Sequence, residues 1–224
     1  MSIPKPANHW NNPLHLRPHG FIIKKLVNDL ILEVRVRIVT RPDFDGIVCA
    51  MLIRAAEPID QPIKWAAPND MQKGRVAITA DDIIANLPYH ENCALWFDHH
   101  YTNRIEQPFE GLFRIAPSAA GIVCEYYKER LPHDFCELII ATDKIDSADL
   151  NLDEILNPEK YPYIILSMTI FSDEPSEEPY WNHVVDLLAE QNIQNILADP
   201  QVDQRCRQVI ANNQQYKALL SEHT

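Results

Sequence analysis

Glycine is scarce in this sequence: 224 residues contain five, and none follows Gly121. That shortage excludes several kinds of site at once. A phosphate-cradling P-loop, a dinucleotide fingerprint and a serine elbow all need glycines at fixed offsets, and none of these motifs is present. Positive charge is also in deficit, with 20 Lys and Arg against 32 Asp and Glu and a formal net charge of −12. A broad electrostatic grip on duplex nucleic acid is excluded, because it needs clustered cations that displace counterions. The cysteines, Cys49, Cys93, Cys124, Cys136 and Cys206, form no CxxC pair. We read them as reduced, mostly buried thiols rather than as a zinc site or a disulfide framework. No apolar run approaches the roughly 18 residues of a membrane span, and no compact apolar segment follows a basic start at the N-terminus. The expected location is therefore the cytoplasm.

What remains is the composition of an ordinary folded protein, with 46% hydrophobic and 23% charged residues. Residues 1–20, rich in Pro, Asn and His without a period, read as an irregular arm. Residues 21–32, "FIIKKLVNDLIL", space their apolar side chains as an amphipathic helix does, although the β-branched content also suits a strand. "VRVRIVT" then reads as a strand entering the turn "RPDFDG", and "GIVCAMLIRAAE" as a helix closed by Pro58. Further strands are expected in "PIKWAAP", "DDIIANLP", "NCALWFD" and "GLFRIAP", with Trp65 and Trp96 in the core. Ser118 is a candidate N-cap for "AAGIVCEYYKERL", and "HDFCELIIATDKID" reads as a helix with acids at its C-terminal end. Strands alternating with connecting segments imply an α/β fold with a doubly wound, mainly parallel sheet over residues 21–150. Residues 151–224 are expected to form an α-helical C-terminal extension packed on that domain. Its half-apolar helices leave room for self-association into a homo-oligomer.

Two of these strands end in potential metal ligands. "RPDFDG" presents Asp43 and Asp45 two residues apart, a spacing that keeps both carboxylates on one face of an extended segment. "LWFDHH" delivers Asp98, His99 and His100 where an apolar run emerges. Ligands of open α/β sheets gather at the carboxyl ends of the strands, so both groups belong at one edge. An acidic chain that handles phosphate there needs a bound cation to reverse the local field.

Taken with "ATDKIDSADL", the segments "VTRPDFDGIVCAMLI" and "LWFDHH" resemble the DHH phosphoesterases, and within them the exopolyphosphatase-like bacterial branch. The three motifs occur in order over roughly residues 35–160. The resemblance implies a doubly wound parallel sheet and one or two divalent ions, Mn2+ or Mg2+, that activate water against a phosphate ester or anhydride. It further implies that Asp43 binds one ion, while Asp45 and His99 bind the other. His100 would face the substrate phosphate, and Asp98 would orient the histidines. Asp143 would be the last motif acid, with Asp146 one helical turn later as a possible partner. Arg41 is a candidate contact for a phosphate oxygen.

Three departures from the family pattern bear on function. Val39 stands where the family usually has a histidine, and Asn86 is the best candidate for the position of a bridging aspartate. The glycine-rich, histidine-containing motif that selects substrate in the family has no counterpart here. One ion is therefore a better expectation than two. The leading reading is a metal-dependent phosphohydrolase acting on a phosphorylated small molecule or an oligomeric anion, either polyphosphate-like or a short oligonucleotide. The alternatives are a weakened relative that binds metal or a phosphorylated ligand without efficient turnover, and an unrelated α/β protein with accidental matches.

Overall fold

A computed structural model describes residues 35–170 and 174–221, together with the backbone of residues 26–27 and 30–31. The chain divides into two units, Met1–Glu33 and Val34–Thr224. In the first, β1 (Leu26–Val27) pairs antiparallel with β2 (Leu30–Ile31), Leu26 opposite Ile31 and Val27 opposite Leu30. The helix expected over residues 21–32 is corrected at these four positions. Large aliphatic residues serve a strand as readily as a helix face. The rest of that segment and the arm of residues 1–20 lie outside the described residues.

The second unit is built on five parallel strands: β3 (Arg37–Thr40), β4 (Lys64–Trp65), β5 (Asp82–Ala85), β6 (Leu95–Asp98) and β7 (Gly111–Phe113). Their order across the sheet is β4-β3-β5-β6-β7. Side chains alternate between its faces, as a period of two requires. Ile38, Ile83, Leu95 and Phe97 join the larger core, while Val39, Ile84 and Trp96 join a second cluster on the opposite side. Both faces are covered, which explains why the strands are short apolar runs rather than polar and apolar residues in turn. α1 (Phe44–Ala56) packs in the larger core, and α2 (Pro68–Gln72) contributes Met71 to the second. The fold is α/β and doubly wound.

The strand order also sets where a site can form. From β3 the chain crosses to β4 on one side, then returns past β3 to β5 on the other, so the order reverses between β3 and β5. Such a switch point leaves a crevice beyond the carboxyl ends of the strands. Thr40 is paired with Ala85, and Ala85 with Phe97. The residues that follow all three strands therefore leave the sheet at one edge.

α3 (Ala119–Tyr127) and α4 (Cys136–Asp146) follow the sheet. Beyond them α5 (Leu152–Leu156), α6 (Pro162–Ser167), α7 (Glu178–Glu190), α8 (Ile193–Ala198) and α9 (Pro200–Ser221) supply the helical second half. Val184 and Leu188 of α7, Ile196 of α8 and Val202 of α9 share one buried cluster with Val48 and Leu52 of α1. Trp181 meets Trp65 edge to face with ring centres 5.5 Å apart. The expectation of mostly buried thiols is corrected, since only Cys49 and Cys206 are buried. Cys136 opens α4 and is exposed.

Gly46 is required by the close approach of backbone. α1 begins directly after β3, and Asp43 caps it by accepting the Gly46 N–H at 2.8 Å. A Cβ on Gly46 would lie 2.0 Å from the Arg41 carbonyl oxygen. Gly46→Ala is therefore expected to destabilise the chain by roughly 1–3 kcal/mol through overpacking. That loss reads as about 2–4 °C of melting temperature per kcal/mol for a protein of this length. An unchanged melting temperature would mean that the strand does not turn this tightly into the helix.

Candidate metal centre

The edge defined by the strand ends gathers five carboxylates and two imidazoles. Asp45, in the first turn of α1, is 2% exposed. Its Oδ1 accepts the Ala120 N–H at 2.8 Å and its Oδ2 the Ala119 N–H at 2.9 Å. Both donors belong to the first turn of α3, where unpaired N–H groups and the helix dipole favour an anion. Ser118 caps the same helix, as its position before the apolar run predicts, accepting the Gly121 N–H at 3.0 Å.

His99 follows β6 and turns inward. Its Nδ1 lies 2.9 Å from the Ala116 carbonyl oxygen. A carbonyl only accepts, so Nδ1 carries the proton, and in the neutral ring Nε2 presents a lone pair. That Nε2 is buried and has no hydrogen-bond partner. It stands 3.3 Å from Asp146 Oδ2 and 3.8 Å from Asp45 Oδ2. A lone pair facing two carboxylates is unfavourable unless a proton or a cation lies between them. Two donors that each bind one ion at about 2.1 Å stand roughly 3–4 Å apart, so the spacing suits a shared divalent ion. Ligand atoms of Asp45, His99 and Asp146 all lie within 4.8 Å of one another. The oxygen and imidazole donor set fits manganese or magnesium.

The electrostatics agree with that fit. Burial pushes the Asp45 carboxyl well above the usual carboxylate range, and the charges of Asp146 and Asp43 push it the same way, against the pull of the α3 N–H groups. Burial also raises Asp146, opposed by His99, His100 and Arg41. A cation among these groups would relieve both the desolvation and the mutual repulsion.

The remaining candidates sit around this group in distinct ways. Asp98 is fully buried at the end of β6, its Oδ1 2.8 Å from His100 Nδ1 and its Oδ2 accepting the Asn103 amide at 2.7 Å. Asp98, His99 and His100 also offer ligand atoms within 4.8 Å of one another. The oxygens of Asp98 are engaged, however, so it orients His100, while His99 is oriented by Ala116. The hydrogen bond to Asp98 raises the proton affinity of His100, against its partial burial. His100 is partly exposed and faces outward.

Asp143 and Asp146 lie one turn apart on α4, yet they point to different partners. Asp143 Oδ1 accepts the Ser118 hydroxyl at 2.5 Å and thereby braces the start of α3. It approaches closely because Gly121 has no side chain: a Cβ there would lie 3.0 Å from Asp143 Oδ1. Asp146 is the α4 acid that meets Asp45 and His99. Asp43 lies at the rim of the group. Its Oδ1 also accepts the Asn86 amide at 2.9 Å, and its Oδ2 meets Arg41 Nε at 2.9 Å. Burial lifts the Asp43 carboxyl to about 6 in spite of Arg41. Asn103 and the backbone N–H groups of Ala119 and Ala120 were not legible as site members. The N-cap signal at Ser118 was the only trace of the latter.

No family model matches the chain, and no curated protein matches it. Among solved structures, a pGpG-specific phosphodiesterase from Vibrio cholerae, PggH, is 36% identical, with a TM-score of 0.66 over 77% of this chain. The match spans 59% of the length of that protein. An uncharacterized protein from Helicobacter pylori G27 is 11% identical over 80% of this chain and 62% of its own, with a TM-score of 0.40. The chain is thus similar, over most of its length, to part of a phosphodiesterase.

Proposed function

We propose that the chain is a divalent-metal-dependent phosphodiesterase of the DHH type, acting on a short phosphorylated substrate such as a dinucleotide. One observation carries this reading: the buried, unpartnered Nε2 of His99 between the carboxylates of Asp45 and Asp146. Similarity to a pGpG-specific phosphodiesterase supports the choice of substrate class. Asp45, His99 and Asp146 would hold the ion, with manganese the best fit to the donors. Once bound, the ion would lower the pKa of a water and polarise the phosphoryl group.

The protein's own groups would do the rest. The N–H groups of Ala119 and Ala120 fix the Asp45 carboxylate, so its free edge faces the ion without reorganisation. Ala116 holds His99 in the tautomer that leaves Nε2 free. His100, turned outward and anchored at Nδ1 by Asp98, would meet a phosphate oxygen with its other nitrogen. Asp143 would act through Ser118 by steadying the first turn of α3.

Val39 and Asn86 favour a second reading, in which metal or a phosphorylated ligand binds without efficient turnover. Val39 is fully buried in the apolar cluster beside Trp96, and Asn86 is neutral. The two readings separate on measurement. Manganese at about 100 times its Kd should stabilise the chain by roughly 2.7 kcal/mol. The melting temperature would then rise by about 5–10 °C, and His99→Ala should abolish the rise. Absence of any shift in the unsubstituted chain would sink the phosphodiesterase reading and the metal-binding form of the second. On pGpG with manganese, the phosphodiesterase reading expects two mononucleotide products. Asp45→Asn should cut turnover by more than the roughly 10–100-fold that outer supports of a metal site cost. A thermal shift with no cleavage of pGpG or of other short oligonucleotides would leave the binding-only reading.

A further inference from the structure

Asp43, Asn86 and Arg41 form an arrangement beside the proposed ion site that the proposed mechanism leaves unused. Asp43 Oδ1 takes two N–H donors, Gly46 at 2.8 Å and Asn86 Nδ2 at 2.9 Å, and its Oδ2 takes Arg41 Nε at 2.9 Å. A carboxylate offers about four lone-pair positions; N–H protons fill two of these on Oδ1, and the Arg41 ion pair stands against Oδ2. Among the described residues Asp43 belongs to neither group of converging ligands. Asn86 is 1% exposed and sits at φ 56°, a left-handed conformation that asparagine tolerates. Because the acceptor opposite it is a carboxylate, the amide must turn its nitrogen toward Asp43. An N–H donor thus occupies the space where a second ion would need a negative oxygen.

We propose that the guanidinium of Arg41, held by Asp43, takes the place of a second cation in this centre and clamps the substrate phosphate. This rests on the metal-dependent reading above. Arg41 pairs with Asp43, the cap of the helix whose first turn carries the proposed ligand Asp45, so its guanidinium stands beside the ion site. Its side chain is 43% exposed, which leaves the rest of the fork accessible to a ligand. With Nε committed to Asp43, the two terminal nitrogens present the planar geometry that binds two phosphate oxygens. A second divalent ion beside Asp43 would require the Asn86 amide to turn around.

Manganese titration of the full chain, followed by calorimetry and electron paramagnetic resonance, tests this without relying on turnover. The expected result is one ion per chain with the spectrum of an isolated ion. The double variant Asn86→Asp with Arg41→Ala should bind two ions with an exchange-coupled spectrum. Inorganic phosphate, titrated into the manganese-loaded chain, should bind about tenfold or more weakly to Arg41→Ala, the loss of charged hydrogen bonds. Arg41→Lys should recover part of that affinity. Manganese stoichiometry should be unchanged in both single variants. Two coupled ions in the unsubstituted chain would overturn the inference and leave the proposed phosphodiesterase intact, whereas no bound ion would overturn both. Equal phosphate affinity in Arg41→Ala would remove the clamp.

Discussion

The centre depends on a carboxylate gripped by the start of a helix. Asp45 is buried, and an unpaired buried charge would cost several kcal/mol. Two backbone donors on α3 offset much of that cost, and they do so by tying the turn after β3 to a segment more than seventy residues later. Those bonds also set the direction of the carboxylate. Each oxygen is engaged on its α3 side; Oδ1 also accepts the Cys49 thiol at 3.9 Å, and Oδ2 stands 3.8 Å from His99 Nε2. The helix that relieves the charge is therefore also the part that aims it.

The sheet makes this possible by bringing strand ends into register. Thr40, Ala85 and Phe97 stand side by side, and the chain reverses its order between β3 and β5. Polar groups that would be expensive within the sheet are displaced one or two residues past it, where loops and helix ends can satisfy them. The same logic distributes the acids of β5. Asp82 opens that strand and pairs with Arg37 at 2.7 Å, so it belongs to the opposite end from Asn86. Among the described residues the helices after α4 add nothing to the groups of converging ligand atoms, but they cover α1 and so support the helix whose first turn carries Asp45.

Much of this was legible in the residues alone, for physical reasons. A buried strand in a parallel sheet must be an apolar run, and polar residues directly after it must surface at the sheet edge; "RIVTRPDFD" and "LWFDHH" say both things openly. Ser118 before an apolar helical stretch announced the helix end that holds Asp45. Other features were hidden because they are set by tertiary contact rather than by spacing. Asp143 and Asp146 are a turn apart and chemically alike, so only the packing of α4 on α3 decides which one turns toward His99. The partnership of Arg41 with Asp43 depends on side-chain direction after a tight turn. The pairing of β1 with β2 was hidden because aliphatic residues at helical spacing also satisfy a strand.

α4 offers its two acids to two different recipients, one to the cap of a neighbouring helix and the other to an imidazole. An α-helix advances about 100° per residue. A single insertion or deletion ahead of Asp143 would therefore swing both acids away together, loosening the brace of α3 in the same stroke that parts Asp146 from His99. Over those eleven residues the phase of the helix is as constrained as its composition, and drift in length must be absorbed in the loops on either side.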